Sequence, residues 1–400
     1  MFYGQNSYPL RSNNAVAFLY NGNAFFNTLK QLIQQAQKLI HFQVYIFNED
    51  KTGKEIAAIL EAAAKRGVKV YMVLDAYGSN ALSDEFVNYL KSFCTFFKFF
   101  SPLFYKYHFN IGLRMHHKIF IADGFAALTG GINIANKYSG IDYKHQWLDF
   151  GIYITGEAVT DLEKICWNVI NRNALAKKLE PQYVKQNNSF GSSIPIQVLQ
   201  NDKYRNKLGV TRFYRQQIRK SKDEILIVSS YFLPSNSFRR LLRNAAKRGV
   251  KIKLVLGEKS DTNLVLRATK YFYKSLLTQG IEIFEWQQSV LHGKLGIFDN
   301  KVVTVGSYNL NALSDFGSLE CNIAVYEKEF AEQVNLNLHR QVINQCSKVD
   351  ANLYLKNLTL GVRIINWLSY RLLLLLLGYL VFLQKKNAYK LLKDTDTQER

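Results

Sequence analysis

One stretch of this chain is written twice, and that duplication limits the fold more than any other feature. Residues 116–133 read HHKIFIADGFAALTGGIN, and residues 292–309 read HGKLGIFDNKVVTVGSYN. Both follow one template: His-x-Lys, four residues, Asp, six residues, Gly-Gly or Gly-Ser, one residue, Asn. The repeat extends upstream, where AAAKRGVKVYMVL (62–74) matches NAAKRGVKIKLVL (244–256). Each of these reads as a helix end, a C-terminal glycine and a run of β-formers. A strand precedes each helix, HFQVYIF (41–47) and EILIVSSYF (224–232). Strand–helix–strand order gives parallel pairing with covering helices, so each half should be an α/β unit. We place a first lobe at 1–185, a second at 186–348 and a distinct tail at 349–400. The polar stretch KQNNSFGSSIP serves as the inter-lobe connection.

Four hundred residues suffice for two cores, and 48% apolar content with 14% aromatics excludes a disordered chain. The net charge of +21 calls for an anionic partner, and phosphate is the common one, in nucleic acid or in a lipid headgroup. Four scattered cysteines form no CxxC pair. That argues against a zinc site or a disulfide framework and fits a reducing compartment. The N-terminus lacks the basic-then-apolar order of a secretory signal.

On a strand, residues two apart share a face. His116 and Lys118 therefore point together, while His117 points into the opposite layer with Ile119 and Ile121. The second copy keeps His292 and Lys294 and has Gly293 between them. A His beside a Lys suits phosphoryl chemistry. The ammonium neutralises charge on phosphate oxygens, and the imidazole attacks phosphorus or moves a proton. The turns at Gly130-Gly131 and Gly306-Ser307 would let backbone N–H groups approach an anion, with Asn133 and Asn309 adding amide donors. An acidic residue follows each motif, Asp149 and Glu320, each expected just ahead of a strand and able to orient an imidazole. Two copies meeting across a pseudo-twofold axis would make one site.

These paired motifs resemble those of the phospholipase D superfamily over most of residues 15–345. The segments GGINIANKY, YFLPSNSFRRLLRNAAKRGVKI and VGSYNLNALS are similar to short bacterial cardiolipin synthases. The resemblance implies two α/β lobes forming an intramolecular pseudo-dimer, with mixed, largely parallel sheets flanked by helices, plus a C-terminal membrane-binding helix. It implies a transphosphatidylation through phosphohistidine, from one phosphatidylglycerol to the glycerol hydroxyl of a second, with a further phospholipid as an alternative partner, and with no metal, cofactor or obligatory protein partner. His116 and His292 would then be nucleophile and general acid/base, with His116 favoured as nucleophile. Lys118, Lys294, Asn133, Ser307 and Asn309 would hold phosphate, and Asp149 and Glu320 would orient the histidines. Asp123 and Asp299 complete the catalytic motif, in a structural role that fixes the loop after the strand. The rivals are a hydrolytic phospholipase D and a nuclease; nucleic acid is the disfavoured substrate. The resemblance also implies a bacterial inner membrane location, peripheral or monotopic and facing the cytoplasm.

His41 and His339 read as ordinary, His108 and His145 as structural or surface residues, and His117 as a decoy. The aromatic run FCTFFKFFSPLFYKYHF (93–109) reads either as core or as an interfacial loop in which Lys98 and Lys106 meet headgroups. The tail GVRIINWLSYRLLLLLLGYLVFLQKK (361–386) holds an unbroken apolar run from Leu372 to Leu383. Twelve helical residues span only about 18 Å, short of a hydrocarbon core of about 30 Å. Lengthening the run places Arg371 inside it, so an interfacial anchor is the expectation.

Overall fold

The computed structural model describes the chain except residues 1–7, 103, 106–107, 110–112, 142–145, 173–178, 183–192, 261 and 397–400. At 104–105, 108–109, 380–381 and 383–396 it describes the backbone alone. The expected connection around residue 185, His145, Lys106 and the His108 side chain therefore lie outside the described residues.

The duplication in sequence is a duplication in topology. One sheet runs Asn14–Leu19, Gly151–Gly156, Ala126–Gly130, Ile119–Ala122, Leu39–Val44, Lys69–Asp75, Phe96–Phe100. The other runs Leu10–Arg11, Ile196–Asp202, Ser318–Val325, Val302–Gly306, Lys294–Phe298, Glu224–Ser229, Lys251–Gly257, Glu282–Trp286, Cys346–Lys348. From Asn14–Leu19 and from Ile196–Asp202 onward, the two orders correspond strand for strand. The sheets are mixed. Their parallel share lies in the strand–helix–strand units, Leu39–Val44 with Lys69–Asp75 and Glu224–Ser229 with Lys251–Gly257, in the next strand out in each, and in the short pairing of Arg114–Met115 with Ser318–Leu319. Antiparallel pairs outnumber these, because tight turns join the motif strands to their successors. Asp123 and Gly124 take φ 53° and 63°, and Asp299 and Asn300 both take φ 51°. Successive left-handed residues make the primed turn that matches strand twist in a hairpin.

The covering helices begin and end as their sequences dictate. Asp50 caps Lys51–Lys65 by accepting from Gly53 N, and Ser235 caps Asn236–Lys247 by accepting from Phe238 N. Each helix stops at a glycine with positive φ, Gly67 at 91° and Gly249 at 88°, a conformation that costs a residue with a Cβ.

Three main cores result. Outer cores lie between each sheet and its own helices, around Phe42, Leu60 and Phe120 in one half and Leu242, Leu254 and Phe272 in the other. A third is shared between the two halves. There Ile119, Ile121 and Ile152 meet Leu295, Ile297 and Ile323, together with helices Glu157–Ile170 and Lys328–Gln341. The motif strands face this shared core, which brings the two copies toward each other.

The aromatic run resolves partly. Phe96–Phe100 is an edge strand, Phe100 is buried, and Lys98 donates to the carbonyls of Ile170 and Arg172 at the end of a helix. Lys98 thus closes a helix C-terminus and is not presented to headgroups.

The tail forms a helix, Leu360–Asp396. Its segment Leu360–Tyr379 has mean hydropathy 1.5 and is long and apolar enough to cross a membrane by length and composition, yet it is only 11% buried. One narrow face rests on the second lobe. Leu373 enters that core, and the Tyr370 ring stacks on Tyr271 at 4.8 Å and 11°.

Candidate active site

Each motif histidine sits where its chain crosses to the other half. The short strand Arg114–Met115 pairs in parallel with Ser318–Leu319, and Leu148 bridges Leu291 in the same sense. At both places two consecutive N–H groups converge on one carbonyl from the opposite half. His116 N and His117 N donate to Leu319 O at 3.0 and 3.0 Å, and His292 N and Gly293 N donate to Leu148 O at 2.7 and 3.0 Å. Two residues facing one partner is the geometry of a bulge, which re-aims the side chains around it. Residues 116–118 lie between the strands Arg114–Met115 and Ile119–Ala122, so the regular strand begins later than the alternation suggests.

The residue after each accepting carbonyl is the acid. Glu320 follows Leu319 and takes His116 Nδ1 at 3.0 Å; Asp149 follows Leu148 and takes His292 Nδ1 at 2.5 Å. The carboxylates are thus exchanged between halves. Asp149 precedes its strand as expected. Glu320 lies inside Ser318–Val325, because pairing with Arg114–Met115 extends that strand at its start.

With Nδ1–H given to a carboxylate, Nε2 of each ring keeps its lone pair. Burial pushes the pKa of both histidines down: Glu320 opposes this at His116, and Lys294 and Lys118 reinforce it at His292. Both rings are therefore held neutral, the state a nucleophile or base requires. Lys294 Nζ lies 3.0 Å from His292 Nδ1. Since His292 Nδ1–H donates to Asp149, this is a close approach of the ammonium that disfavours the imidazolium. Burial pushes the Asp149 carboxyl up to about 7, against the pull of Lys294.

Lys118 and Lys294 are both buried, and each donates to the carbonyl of its own motif histidine, His116 or His292. Burial, then the nearby Lys294, brings the Lys118 ammonium down to about 7. Two buried cations in mutual repulsion form a place that an anion stabilises.

Aromatic rings wall the site, and the sequence reading did not single them out for it. Tyr45 lies 4.9 Å from His116 between ring centroids; Tyr138, Trp147 and Tyr231 lie 5.4, 5.8 and 6.3 Å from His292. Lys137 sits 4.0 Å over Trp147. Tyr45 and Tyr231 each follow the strand that opens a repeat, so the duplication contained the signal.

The remaining motif residues are not brought to the histidines. Asp123 accepts from the N–H groups of Gln37, Lys38 and Leu39, and Asp299 from those of Lys222, Asp223 and Glu224. Both lie at the far end of the motif strand, where they tie its turn to the neighbouring strand. The residues expected to cradle phosphate make internal bonds. Asn133 accepts from Ile46 N and donates to Tyr138 Oη. Ser307 donates to Glu320, and Asn309 accepts from Ser230 Oγ. The turn amides are engaged too, since Gly131 N donates to Phe150 O and Ser307 N to Cys321 O. Gly131 instead makes room: a Cβ there would fall 2.2 Å from an Asp149 carboxylate oxygen.

His117 is buried away from the site with Nε2 3.0 Å from Gln43 Oε1, and burial lowers its pKa to about 3. Gly293 is small because Phe150 fills its space; an added Cβ would lie 2.4 Å from that ring. His41 is buried between the rings of Tyr71 and Trp167, and His339 lies on helix Lys328–Gln341.

The duplication seen in the strands and in the site is also found by comparison with known proteins. The family described as "Cardiolipin synthase, PLD-like domain" matches residues 29–155 and again 214–342. The chain belongs to the phospholipase D superfamily. Within it, the chain is cardiolipin synthase-like. It is 30% identical to cardiolipin synthase B of Escherichia coli (strain K12) over 90% of this chain and 89% of that one. It is 28% identical to a cardiolipin synthase of Clostridium perfringens (strain 13 / Type A) over 87% and 74%. The fold is also that of the phosphatidylserine synthase of Haemophilus influenzae, with a TM-score of 0.71, 14% identity, and coverage of 92% of this chain and 96% of that one.

Proposed function

We propose that this cardiolipin synthase-like phosphatidyltransferase moves a phosphatidyl group from one phosphatidylglycerol to the glycerol hydroxyl of another. The observation that carries the reading is the pair of neutral imidazoles, each with Nδ1 held by a carboxylate from the other half and each beside a buried lysine. A phosphodiester anion bound between Lys118 and Lys294 offsets the repulsion that keeps His292 neutral, and Nε2 of His292 takes up a proton from solvent. Nε2 of His116 then attacks phosphorus as the bond from phosphorus to the leaving glycerol oxygen breaks, and the His292 imidazolium gives that oxygen its proton. The second phosphatidylglycerol then loses a hydroxyl proton to the His292 imidazole and attacks phosphorus, and the phosphorus–nitrogen bond breaks. Lys118 and Lys294 neutralise the phosphate oxygens throughout. Asp149 and Glu320 stabilise the charged imidazoles that form, as the acid of a catalytic triad does.

His116 is favoured as nucleophile because its side chain is 14% exposed against 7% for His292, which the rings of Tyr138, Trp147 and Tyr231 surround. Asn133, Ser307 and Asn309 support the site from behind, and Asp123 and Asp299 hold its strands in register. The protein would work at the bacterial cell membrane from the cytoplasmic side, with helix Leu360–Tyr379 lying along the interface. The fit of one helix face to the second lobe supports lying over crossing.

Incubation of purified protein with phosphatidylglycerol tests the reading. Cardiolipin and glycerol in equal amounts are expected. Phosphatidic acid as the sole lipid product would make the protein a hydrolase, and DNA cleavage without lipid turnover would make it a nuclease.

A further inference from the structure

Away from the histidines, a cavity of about 620 Å³ opens between the second lobe and the start of the tail helix. It shares no lining residue with the active site. Of the Lys, Arg, Asp and Glu side chains, only basic ones line it: Arg239, Lys270, Lys274 and Arg363. One acid offsets them, Glu285, at 3.5 Å from Lys270. The Arg239 guanidinium lies 5.0 Å over the Phe272 ring and donates to Asn236, while its Nε is buried with no hydrogen-bond partner among the described residues. Like charges gathered round a cavity repel one another, and an anion inside it removes that cost.

The rest of the lining is mostly apolar, with Ser275, Thr278 and Asn366 as its polar members, and it is continuous with an exposed apolar face. Trp367 and Ile364 line the cavity and are 41% and 47% exposed, and beyond them Leu368, Leu372 and Leu375 are exposed at 52%, 50% and 72%. A free phosphate would use only the basic half. A phospholipid would use both, with its phosphate among the cations and its acyl chains along the tail helix. Trp367 is also the residue type that settles at the headgroup level.

We infer that this cavity binds the phosphodiester of an anionic membrane phospholipid as a non-catalytic anchor. It holds the tail helix to the membrane surface and gives the protein a preference for anionic bilayers. The inference rests on the reading of Leu360–Tyr379 as a membrane-contacting helix, and it does not depend on the reaction catalysed.

The test is flotation of the full chain with vesicles, in a His116→Ala background so that lipid composition stays constant. Vesicles are phosphatidylcholine alone or with phosphatidylglycerol. The combined variant Arg239→Gln, Lys274→Gln, Arg363→Gln should lose at least about tenfold in partitioning to the anionic vesicles, since each basic residue near a surface contributes about 1 kcal/mol. Its binding to neutral vesicles should not change, and its unfolding midpoint should not fall. An equal loss of charge elsewhere, Arg212→Gln, Arg219→Gln, Lys220→Gln, should cost under about threefold. The inference is overturned if the cavity variant binds like the parent, if the remote variant loses as much, or if millimolar glycerol phosphate displaces the protein as well as lipid does. Leu375→Asp separates the two readings. It should release the protein from both vesicle types; retention on both would overturn the membrane role of the helix, while a selective loss in the cavity variant would still support the cavity.

Discussion

His116 takes its carboxylate from Glu320, 204 residues away in sequence and 3.0 Å away in space. The mirror relation joins His292 to Asp149 across 143 residues. Neither half of the chain contains a complete histidine–acid pair. Replacing Glu320→Gln or Asp149→Asn keeps the shape and removes the charge that supports the imidazolium. We expect kcat to fall by roughly 10²–10⁴ with KM little changed, as for the acid of a catalytic triad. Steady-state turnover of phosphatidylglycerol measures this. An unaltered kcat in both variants would mean that the carboxylates only fill space.

Adjacent His116 and His117 should behave in opposite ways. His116→Ala should reduce turnover by at least about 10³-fold while leaving stability nearly unchanged. His117→Ala should keep turnover within about fivefold, but it empties a buried position bonded to Gln43 and should cost about 1–3 kcal/mol of stability. Equal losses of turnover would overturn the assignment of faces.

Lys118 makes a pH prediction whose sign can be worked out. Its folded pKa of about 7 lies below the unfolded value, so between about pH 7 and pH 10 the unfolded chain binds more protons. Stability from this group therefore rises with pH across that window, and its cost is fully present below pH 7. Lys118→Met should be more stable than the parent by a few kcal/mol at pH 6, and the gap should close toward pH 10. Denaturant unfolding at the two pH values decides it. In the parent, KM for anionic lipid should rise above pH 7 as the ammonium is lost.

Gly293 and Phe150 should be coupled. Gly293→Ala drives a methyl into the Phe150 ring at 2.4 Å and should cost about 1–3 kcal/mol. Phe150→Leu alone should also destabilise, but the double variant should recover part of the loss. Additive effects in a double-mutant cycle would show that the ring moves aside without strain.

Removing residues 360–400 should release the protein from membranes. It also uncovers Tyr271 and Phe272, against which Tyr370 packs, so a modest drop in unfolding midpoint should accompany release. A truncated chain that still sediments with membranes would assign attachment to another surface.

The duplicated motif made much of this legible. Spacing alone paired His116 with Lys118 and His292 with Lys294, separated His117, and marked Asp149 and Glu320 as a matched pair. Which acid serves which histidine was not legible, because the exchange depends on how two halves dock and no local pattern encodes that. The bonds that Asn133 and Ser307 make were not legible for a related reason. A polar residue beside a site looks the same in sequence whether it faces the ligand or, as Asn133 does with Ile46 and Tyr138, holds the wall behind it. The parallel share of the sheets was overestimated because the strand–helix–strand units are conspicuous, whereas the tight turns at Asp123–Gly124 and Asp299–Asn300 are brief.

The exchanged carboxylates also set a timetable. A ribosome adding about 5–20 residues per second needs roughly 10–40 seconds to pass from His116 to Glu320. Throughout that interval the first lobe can fold its own outer core, but its histidine has no acid. The nascent chain is therefore born inert toward lipid. Chemistry starts only when the second half docks, and the pairing of Ser318–Leu319 with Arg114–Met115 is part of that docking.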